Sequence, residues 1–194
     1  MSTSRIDFDG QPQMLISAFD LTERKQVEAQ GQLLTITDAL TGLGNYRRLL
    51  DTVRAEIERS ERTRRPFSVL LLDLDGLKKI NDGHGHLVGS RALCRLGDVL
   101  RVFCRSIDTA VRYGGDEFAV ILPETSGATA ALVASRIRER VATDSEQPTL
   151  SASIGVAVYP QDGETIEALL QAADRELYGM KSGRAEERVL SVAR

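Results

Sequence analysis

Residues 110–122 read AVRYGGDEFAVIL, two apolar segments on either side of Gly114-Gly115. Short segments rich in Val, Ile and Phe predict β-strands, and Gly-Gly is a favoured two-residue hairpin connection because both positions can require positive φ. The stretch therefore predicts an antiparallel hairpin. Since the rest of the chain alternates helices and strands, this hairpin favours an α/β (α+β) sandwich with a mixed central β-sheet over a doubly wound parallel sheet.

The remaining elements follow from the spacing of apolar residues. Residues 67–73 (FSVLLLD) form an apolar run that ends in Asp73, which predicts a central strand covered on both faces. Residues 88–104 repeat Leu and Phe at helical spacing and predict an amphipathic helix. Helices are also predicted over residues 45–61, 128–141 and 165–181, and a strand over residues 150–159.

Composition limits the classes of function. The chain has 194 residues, of which 42% are apolar, which suits one principal core. A net charge of -3 gives no overall basic field, so the composition does not indicate a broad surface for a nucleic acid polymer. Cys94 and Cys104 show no metal-ligand spacing and are interpreted as reduced thiols of a cytoplasmic protein. No apolar run is long enough for a membrane span, and the first residues lack a secretion signal.

Acidic side chains follow two of the predicted strands. Asp73 ends the apolar run, and Asp116-Glu117 comes directly after Gly114-Gly115. Carboxylates from two strand ends can hold a hard cation, and magnesium prefers few protein carboxylates together with phosphate oxygens and water. Glycines without a Cβ would let a triphosphate approach the backbone closely. Taken alone, the same residues are equally compatible with a solvated loop and an ordinary hairpin.

Residues 112–118 (RYGGDEF) resemble the signature of the diguanylate cyclase (GGDEF) family. Four further blocks agree in order and spacing: DALTGLGN at 38–45, the block at 73–89, SIGVA at 153–157, and Ala173-Asp174 with Leu177-Tyr178. The resemblance implies a nucleotidyl cyclase domain over residues 38–194. It also implies condensation of two GTP into cyclic di-GMP and two pyrophosphates, in a homodimer with Mg2+ (or Mn2+).

The resemblance assigns roles to single residues. Asp73, the carbonyl of Leu74, Asp116 and Glu117 would bind the metal, and Asp116 or Glu117 would be the base for the ribose 3′-hydroxyl. Lys78 would offset charge on the transferring phosphoryl group. Further substrate contacts are implied for Leu77, Asn81, His86, Ser90, Gly114, Gly115, Lys181 and Arg184.

Several of these residues have simpler interpretations, and some depart from the family pattern. Lys78 is also compatible with a solvated surface position, Asn81 with a helix or turn cap, and His86 with a loop residue bonded to backbone. Leu77 replaces a more common phenylalanine. The spacing from Lys181 to Arg184 is one residue shorter than usual, which makes the role of Arg184 less secure.

Ser90 is the most informative departure, because the family usually has aspartate there. A carboxylate accepts from N1-H and N2-H of guanine together, whereas serine can donate or accept. Loss of such a base contact relaxes discrimination by roughly 1 to 3 kcal/mol. Serine here resembles a subgroup that makes cyclic GMP-AMP, so we predict ATP as a second substrate. The alternative is that Ser90 caps the next helix and Asn81 suffices for guanine.

Arg105 and Asp108 resemble the RxxD inhibitory product site of the family. Arginine can grip the O6/N7 edge of guanine and aspartate can accept from N1 and N2, so cyclic di-GMP is predicted as a feedback ligand. An ordinary surface ion pair is the alternative. If this site were the only functional one, the chain would be a non-catalytic module that binds cyclic di-GMP.

The N-terminal segment resembles the end of a PAS sensor domain over residues 1–22. One strand is predicted at residues 14–16, and because a lone strand is not stable it should pair with something else. Residues 23–37 predict a linker helix that is too short to establish a coiled coil. A frayed arm ahead of a helix is the alternative.

Overall fold

The computed structural model describes the backbone of residues 2–8, 11–17 and 36–192 and the side chains of residues 36–181. The chain divides into two compact units, residues 1–35 and 36–194. In the first unit, β1 (Ser2–Phe8) pairs antiparallel with β2 (Gln11–Ser17). The strand predicted at residues 14–16 lies within β2, and β1 is its partner. The predicted linker helix lies almost wholly outside the described residues, and the PAS assignment stays a prediction.

The second unit is an α+β sandwich, as predicted. The elements are β3 (Phe67–Leu74), β4 (Thr109–Arg112), β5 (Glu117–Leu122), β6 (Ala152–Tyr159), α1 (Tyr46–Thr63), α2 (Leu77–His84), α3 (His86–Phe103), α4 (Gly127–Ala142) and α5 (Ile166–Val192). The strands stand in the order β4-β5-β3-β6, and all three strand pairs are antiparallel. A mixed sheet was expected, but the parallel pairing within the described residues is a single bridge between Gly44 and Val111. Among the described residues, no helix combines the length and apolar character that a membrane crossing requires.

Strand β3 is central and is buried on both faces. Leu70 and Leu72 belong to one core cluster, which α3 and α4 complete. Val69 and Leu71 belong to a second cluster, which α1 and α5 complete. Alternating side chains of one strand therefore build both cores, which is why residues 67–73 read as an unbroken apolar run.

Helix α5 packs directly on the backbone of β6 at Gly155. A Cβ atom on Gly155 would lie 2.0 Å from the carbonyl oxygen of Ala173 and 2.5 Å from the backbone nitrogen of Leu177. Only glycine fits this contact without a shift of backbone. The contact fixes α5 against the sheet and so sets the position of the residues that follow, including Lys181.

The connection between β4 and β5 differs from the predicted two-residue turn. It spans residues 113–116, and the backbone N–H groups of Tyr113 and Gly114 both donate to the carbonyl oxygen of Glu117, at 3.0 and 3.4 Å. Neither Gly114 nor Gly115 has a positive φ; within the described part of the chain, the glycines that do are Gly42, Gly76 and Gly85. The expected backbone conformation was therefore wrong, because the longer connection does not need the left-handed geometry of a two-residue hairpin.

Candidate active site

The predicted acidic residues meet at one end of the two central strands. Asp73 on β3 stands directly opposite Glu117, the first residue of β5. The backbone N–H of Leu74 donates to the carbonyl oxygen of Asp116 at 3.0 Å, which fastens the β4-β5 connection to the end of β3. Asp116 and Glu117, which follow Asp73 by 43 and 44 positions in the sequence, therefore lie with it at one end of the central strands.

These carboxylates interact electrostatically. Burial raises the pKa of Glu117, and the charges of Asp116 and Asp73 raise it further. Burial also raises the pKa of Asp73, with a further contribution from Asp116, although a hydrogen bond from Lys181 acts in the opposite direction. Like charges held this close favour a bound cation, because a cation removes the repulsion between them.

Lys181 supplies one positive charge to this cluster. Its Nζ atom lies 2.7 Å from Oδ2 of Asp73, whose side chain is only 14% exposed. Lys181 thus partly neutralises Asp73 in the free protein, and it stands where an incoming phosphate could compete for the same ammonium group. The side chain of Arg184 lies outside the described residues, so its predicted contact stays a prediction.

The donor set suits magnesium bound together with a nucleotide. The candidate ligands are carboxylate oxygens of Asp73, Asp116 and Glu117, which are hard donors, and the carbonyl of Leu74, whose side chain is buried in the core. Within residues 36–181, no group of three or more Asp, Glu, His or Cys side chains is arranged to hold a metal ion by itself. Magnesium fits such a site because phosphates and water usually complete its shell.

The two glycines of the β4-β5 connection, Gly114 and Gly115, are suited to their positions for different physical reasons. A Cβ on Gly114 would lie 2.0 Å from Oε2 of Glu117, so the Glu117 side chain fills the space that any larger residue would need. A Cβ on Gly115 would meet no atom within 4 Å, so the backbone there is open to an approaching ligand. The predicted close approach of a triphosphate is thus compatible with Gly115, whereas Gly114 accommodates Glu117.

Arg112 holds the connection in place, a role that the sequence did not reveal. Its Nε and Nη2 atoms donate to the carbonyl oxygen of Gly115 at 3.2 and 2.8 Å. Its Nη1 atom donates to Oδ1 and Oδ2 of Asp38 at 3.2 and 3.0 Å. Asp38 and Arg112 carry opposite charges in two separate motif blocks, and that pairing was the signal available in the sequence.

Asp75 is a second acidic residue without a predicted role. Its Oδ2 and Oδ1 atoms accept hydrogen bonds from the hydroxyl groups of Ser151 and Ser153, each at 2.7 Å. Ser153 also stands opposite Asp73 across the β3-β6 pair. Asp75 therefore ties the loop after β3 to β6, and this anchoring explains a serine in the SIGVA block.

The predicted base-recognition residues lie where α2 and α3 meet. A Cβ on Gly89 would lie 1.9 Å from Oδ1 of Asn81 and 3.3 Å from Cδ1 of Leu77, so both side chains cover Gly89. Ser90 is the next residue and is half-buried. Since α3 begins at His86 with Gly85 as its N-cap, Ser90 lies inside the helix, and the interpretation of Ser90 as a helix cap was wrong.

Lys78 and His86 stand at the starts of α2 and α3. Lys78 is the second residue of α2 and His86 the first residue of α3, and both are exposed to solvent. His86 belongs to the helix, so its interpretation as a loop residue was wrong. Exposure leaves both side chains accessible to a nucleotide, and their substrate contacts stay predictions.

The Arg105–Asp108 turn is held by backbone contacts. The N–H of Arg105 donates to Oδ2 of Asp108 at 2.8 Å, and the N–H of Asp108 donates to the carbonyl oxygen of Arg105 at 3.0 Å. Within residues 36–181, Oδ1 of Asp108 is buried without a hydrogen-bond partner, and no ion pair joins the two side chains. The ordinary ion pair considered from sequence is therefore not formed. A cavity of about 460 Å³ opens beside this turn and is also lined by Arg48 and Arg101.

Comparisons with known proteins agree with this geometry. The family described as "Diguanylate cyclase, GGDEF domain" matches residues 35–187. The chain is 41% identical over 159 residues to Response regulator PleD of Caulobacter vibrioides, covering 78% of this chain and 35% of the relative. It is 36% identical over 179 residues to Diguanylate cyclase DgcM of Escherichia coli K12, covering 91% of this chain and 43% of the relative. The chain thus spans less than half the length of these two relatives.

A solved structure of a GGDEF family protein has the same fold as this chain. The crystal structure of a sensory box/GGDEF family protein from Caulobacter crescentus CB15 superposes with a TM-score of 0.71 at 37% identity. The match covers 77% of this chain and 99% of that chain. The fold and the acidic strand ends define a GGDEF-type domain. The chain belongs to the diguanylate cyclase GGDEF domain family.

Proposed function

We propose that this chain carries a diguanylate cyclase that condenses two GTP into cyclic di-GMP and two pyrophosphates. The observation that best supports the proposal is the meeting of Asp73, Asp116 and Glu117 at one end of β3 and β5. Family membership supports the same reaction, since DgcM is named a diguanylate cyclase. In contrast, an inactive binding module would have no need for this cluster of repelling carboxylates.

Each residue has a defined task in this proposal. Asp73, Asp116, Glu117 and the Leu74 carbonyl would hold Mg2+ (or Mn2+), which when bound would stabilise negative charge on the 3′-oxygen and the phosphates. Asp116 or Glu117 takes the proton of the 3′-hydroxyl. Lys78 and Lys181 offset charge on the phosphates, and Gly115 gives the backbone room for them. Positioning therefore supplies most of the rate enhancement, as is usual for phosphoryl transfer.

Guanine recognition is assigned to the meeting point of α2 and α3. Asn81, supported by Leu77 above Gly89, would contact the base edge, and His86 and Ser90 would lie beside it.

One domain with one nucleotide cannot close a two-fold ring. Two copies must face each other, and each 3′-oxygen attacks the α-phosphorus of the other nucleotide and displaces pyrophosphate.

The test is a product assay with matched variants. Purified protein is incubated with Mg2+ and GTP, and the products are identified by mass. We expect cyclic di-GMP from the wild type and a loss of about a hundred- to a thousandfold in Glu117→Gln, because removal of one electrostatic group at the reacting atoms typically costs that much. Glu124→Gln, a change of the same atoms two residues beyond the opposite end of β5, should retain activity. Absence of cyclic di-GMP from a folded, metal-loaded dimer would contradict the proposal.

Ser90 favours a second candidate activity, the synthesis of cyclic GMP-AMP. Ser90 belongs to α3 and follows Gly89, which Asn81 covers, and this neighbourhood supports a role for Ser90 beside the proposed base site. With GTP and ATP supplied together, we expect the mixed product in addition to cyclic di-GMP. Ser90→Asp should suppress the mixed product about ten- to a hundredfold. An unchanged product ratio in Ser90→Asp would refute this assignment.

Product feedback is proposed at Arg105 and Asp108. Both residues line the cavity beside the turn, together with Arg48 and Arg101, and the exposed Arg105 guanidinium can grip a guanine edge. Arg105→Ala should relieve inhibition by cyclic di-GMP without reducing the initial rate. If the protein binds cyclic di-GMP here but makes none, the non-catalytic alternative is correct.

The N-terminal unit is proposed to transmit a signal. Residues 1–22 would be the end of a PAS-like sensor, residues 23–37 a linker helix, and residues 38–194 the cyclase domain. The β1-β2 hairpin is compatible with the last strands of such a sensor. A longer chain that includes upstream sequence should change its cyclase rate when the sensor is perturbed, whereas residues 38–194 alone should not.

A further inference from the structure

A cavity lies beside the β4-β5 connection (residues 113–116). Its lining includes no residue of α2 or α3, so it is separate from the proposed base site where these helices meet. It has a volume of about 310 Å³ and is lined mainly by apolar and aromatic groups. Leu49 of α1 and Leu71 of β3 are buried core residues at its base. The walls include Tyr46, Tyr113 and Leu170. This volume lies at the lower end of the range of small-molecule sites.

The two tyrosines give the cavity an aromatic wall. The ring centroids of Tyr46 and Tyr113 are 6.5 Å apart, and the ring planes are tilted by 42°. Tyr46 is 52% exposed, so one ring stands at the mouth of the cavity, while Tyr113 is half-buried. Faces of tyrosine rings carry negative charge density and attract cations within about 6 Å.

Three polar side chains complete the lining. They are the carboxylates of Glu117 of β5 and Asp174 of α5 and the amide of Gln171. Both carboxylates act electrostatically on the Tyr113 phenol, together with Asp73 and Asp116. An apolar base, an aromatic wall and a negatively charged rim are complementary to a ligand with an apolar body and a positive head group.

We propose that this cavity binds a small organic cation, an aromatic or aliphatic amine or amidine, at a site that borders the proposed metal site and shares Glu117 with it. The apolar body would lie against Leu49, Leu71 and Leu170. The charged head would contact the tyrosine wall and the carboxylates of Asp174 and Glu117. This assignment is independent of which nucleotides the domain uses.

The probe is 1-naphthylmethylamine, which is protonated at neutral pH, and the matched control is 1-naphthylmethanol, which has nearly the same shape without the charge. Binding of each to the full chain is measured by isothermal titration calorimetry and by saturation-transfer NMR. We expect the amine to bind about five- to tenfold more tightly than the alcohol, because it gains cation–π and carboxylate contacts.

Variants locate the bound probe. Tyr46→Ala should weaken amine binding about two- to fivefold, the range for an exposed cation–π contact. Asp174→Asn should weaken it by a similar factor and leave the alcohol unaffected. Tyr178→Ala is the matched control, since Tyr178 is also an exposed tyrosine, 70% accessible, but does not line the cavity. Tyr178→Ala should bind like the wild type.

A fourth variant separates the cavity from the proposed metal site. Asp73→Asn changes the acidic cluster but not the lining of the cavity, and it should leave amine binding within about twofold of the wild type. If Asp73→Asn weakens binding while Tyr46→Ala does not, the amine occupies the metal site and the proposal fails. It also fails if amine and alcohol bind equally. Because the readout is binding, neither result depends on cyclase activity.

Discussion

Some residues at the β4-β5 connection (residues 113–116) position the catalytic groups and do not take part in the chemistry themselves. Arg112 contacts no predicted substrate group, yet it bonds both the Gly115 carbonyl and the Asp38 carboxylate. Asp38 in turn accepts from the N–H of Thr41 at 2.8 Å. The segment that leads into the domain is therefore bonded through one guanidinium to the turn that bears Asp116. The planar guanidinium of arginine has enough donors to bond both groups at once, whereas the ammonium group of lysine acts as a single point charge.

Arg112→Lys should lower kcat more than it changes KM for GTP. Lysine can bond Gly115 or Asp38 but not both, so the connection loses its fixed position and the reacting groups lose alignment. We expect kcat to fall about ten- to a hundredfold, which is typical for small misplacements of catalytic groups. Steady-state kinetics at several GTP concentrations measure the split. Arg54→Lys on the exposed face of α1 is the control, and equal kinetics of the two variants would contradict the positioning role.

Asp108 makes stability depend on pH. Burial raises the pKa of Asp108, and the contacts from Arg105 lower it only in part. The folded state thus holds the Asp108 proton more tightly than the unfolded state, so its contribution to stability decreases as pH rises from the ordinary aspartate value through the raised pKa. Replacement of the carboxylate by an amide removes this unfavourable ionisation.

Asp108→Asn should therefore unfold at a higher urea concentration than the wild type at neutral pH. This advantage should shrink to nothing as pH falls below the ordinary aspartate pKa of about 3.9, where the wild-type group is protonated in both states. Urea titrations followed by circular dichroism at several pH values give the comparison. Asp98→Asn at an exposed position of α3 serves as the control. A stability gain that persists at low pH would show that ionisation is not the cause.

At the scale of elements, the strands of the cyclase domain and four of its helices were predictable, because each has a strong apolar pattern. Helix α2 (Leu77–His84) was missed, because its polar, glycine-containing sequence is typical of a loop. Predicted residues 67–73 became β3 (Phe67–Leu74), and predicted residues 88–104 became α3 (His86–Phe103). What could not be predicted was how elements contact each other. The covering of Gly89 by Asn81 depends on distances across elements, which apolar periodicity does not encode.

The close contact of α5 with β6 at Gly155 is the clearest contact between elements that the apolar pattern did not predict. Gly155→Ala should destabilise the domain by about 3 kcal/mol, because the new methyl group meets backbone atoms of α5 that cannot rotate away. The displaced helix would also carry Lys181 away from Asp73. Urea unfolding and GTP affinity should therefore both respond.

Gly179 offers the matched control for this prediction on the same helix. A Cβ on Gly179 would meet no atom within 4 Å, so Gly179→Ala adds the same methyl group without a clash. It should raise stability by about 0.5 to 1 kcal/mol, since alanine is the better helix former. A Gly155→Ala variant as stable as the wild type would mean that α5 does not lie on β6 as described.

At the scale of the whole molecule, the proposed reaction requires more than one chain. The domain offers one cluster of acids and one proposed base site, whereas a cyclic dinucleotide contains two nucleotides joined by two equivalent bonds. A two-fold symmetric pair meets this requirement, because the same surface then serves both partners. Each chain must activate the 3′-oxygen of its own nucleotide, so a dimer with one inactive chain can form at most one of the two bonds.

Mixing wild type with Glu117→Gln should therefore suppress activity beyond simple dilution. With equal amounts and random pairing, about a quarter of the dimers contain two active chains, so cyclic product formation should fall to about a quarter of that of the same total amount of wild type. The linear intermediate should accumulate, which mass spectrometry detects. The two chains are unfolded and refolded together so that they pair at random, and wild type treated in the same way with Glu124→Gln is the control. If activity falls only to about half, each chain completes the ring without its partner, and the face-to-face arrangement must be abandoned.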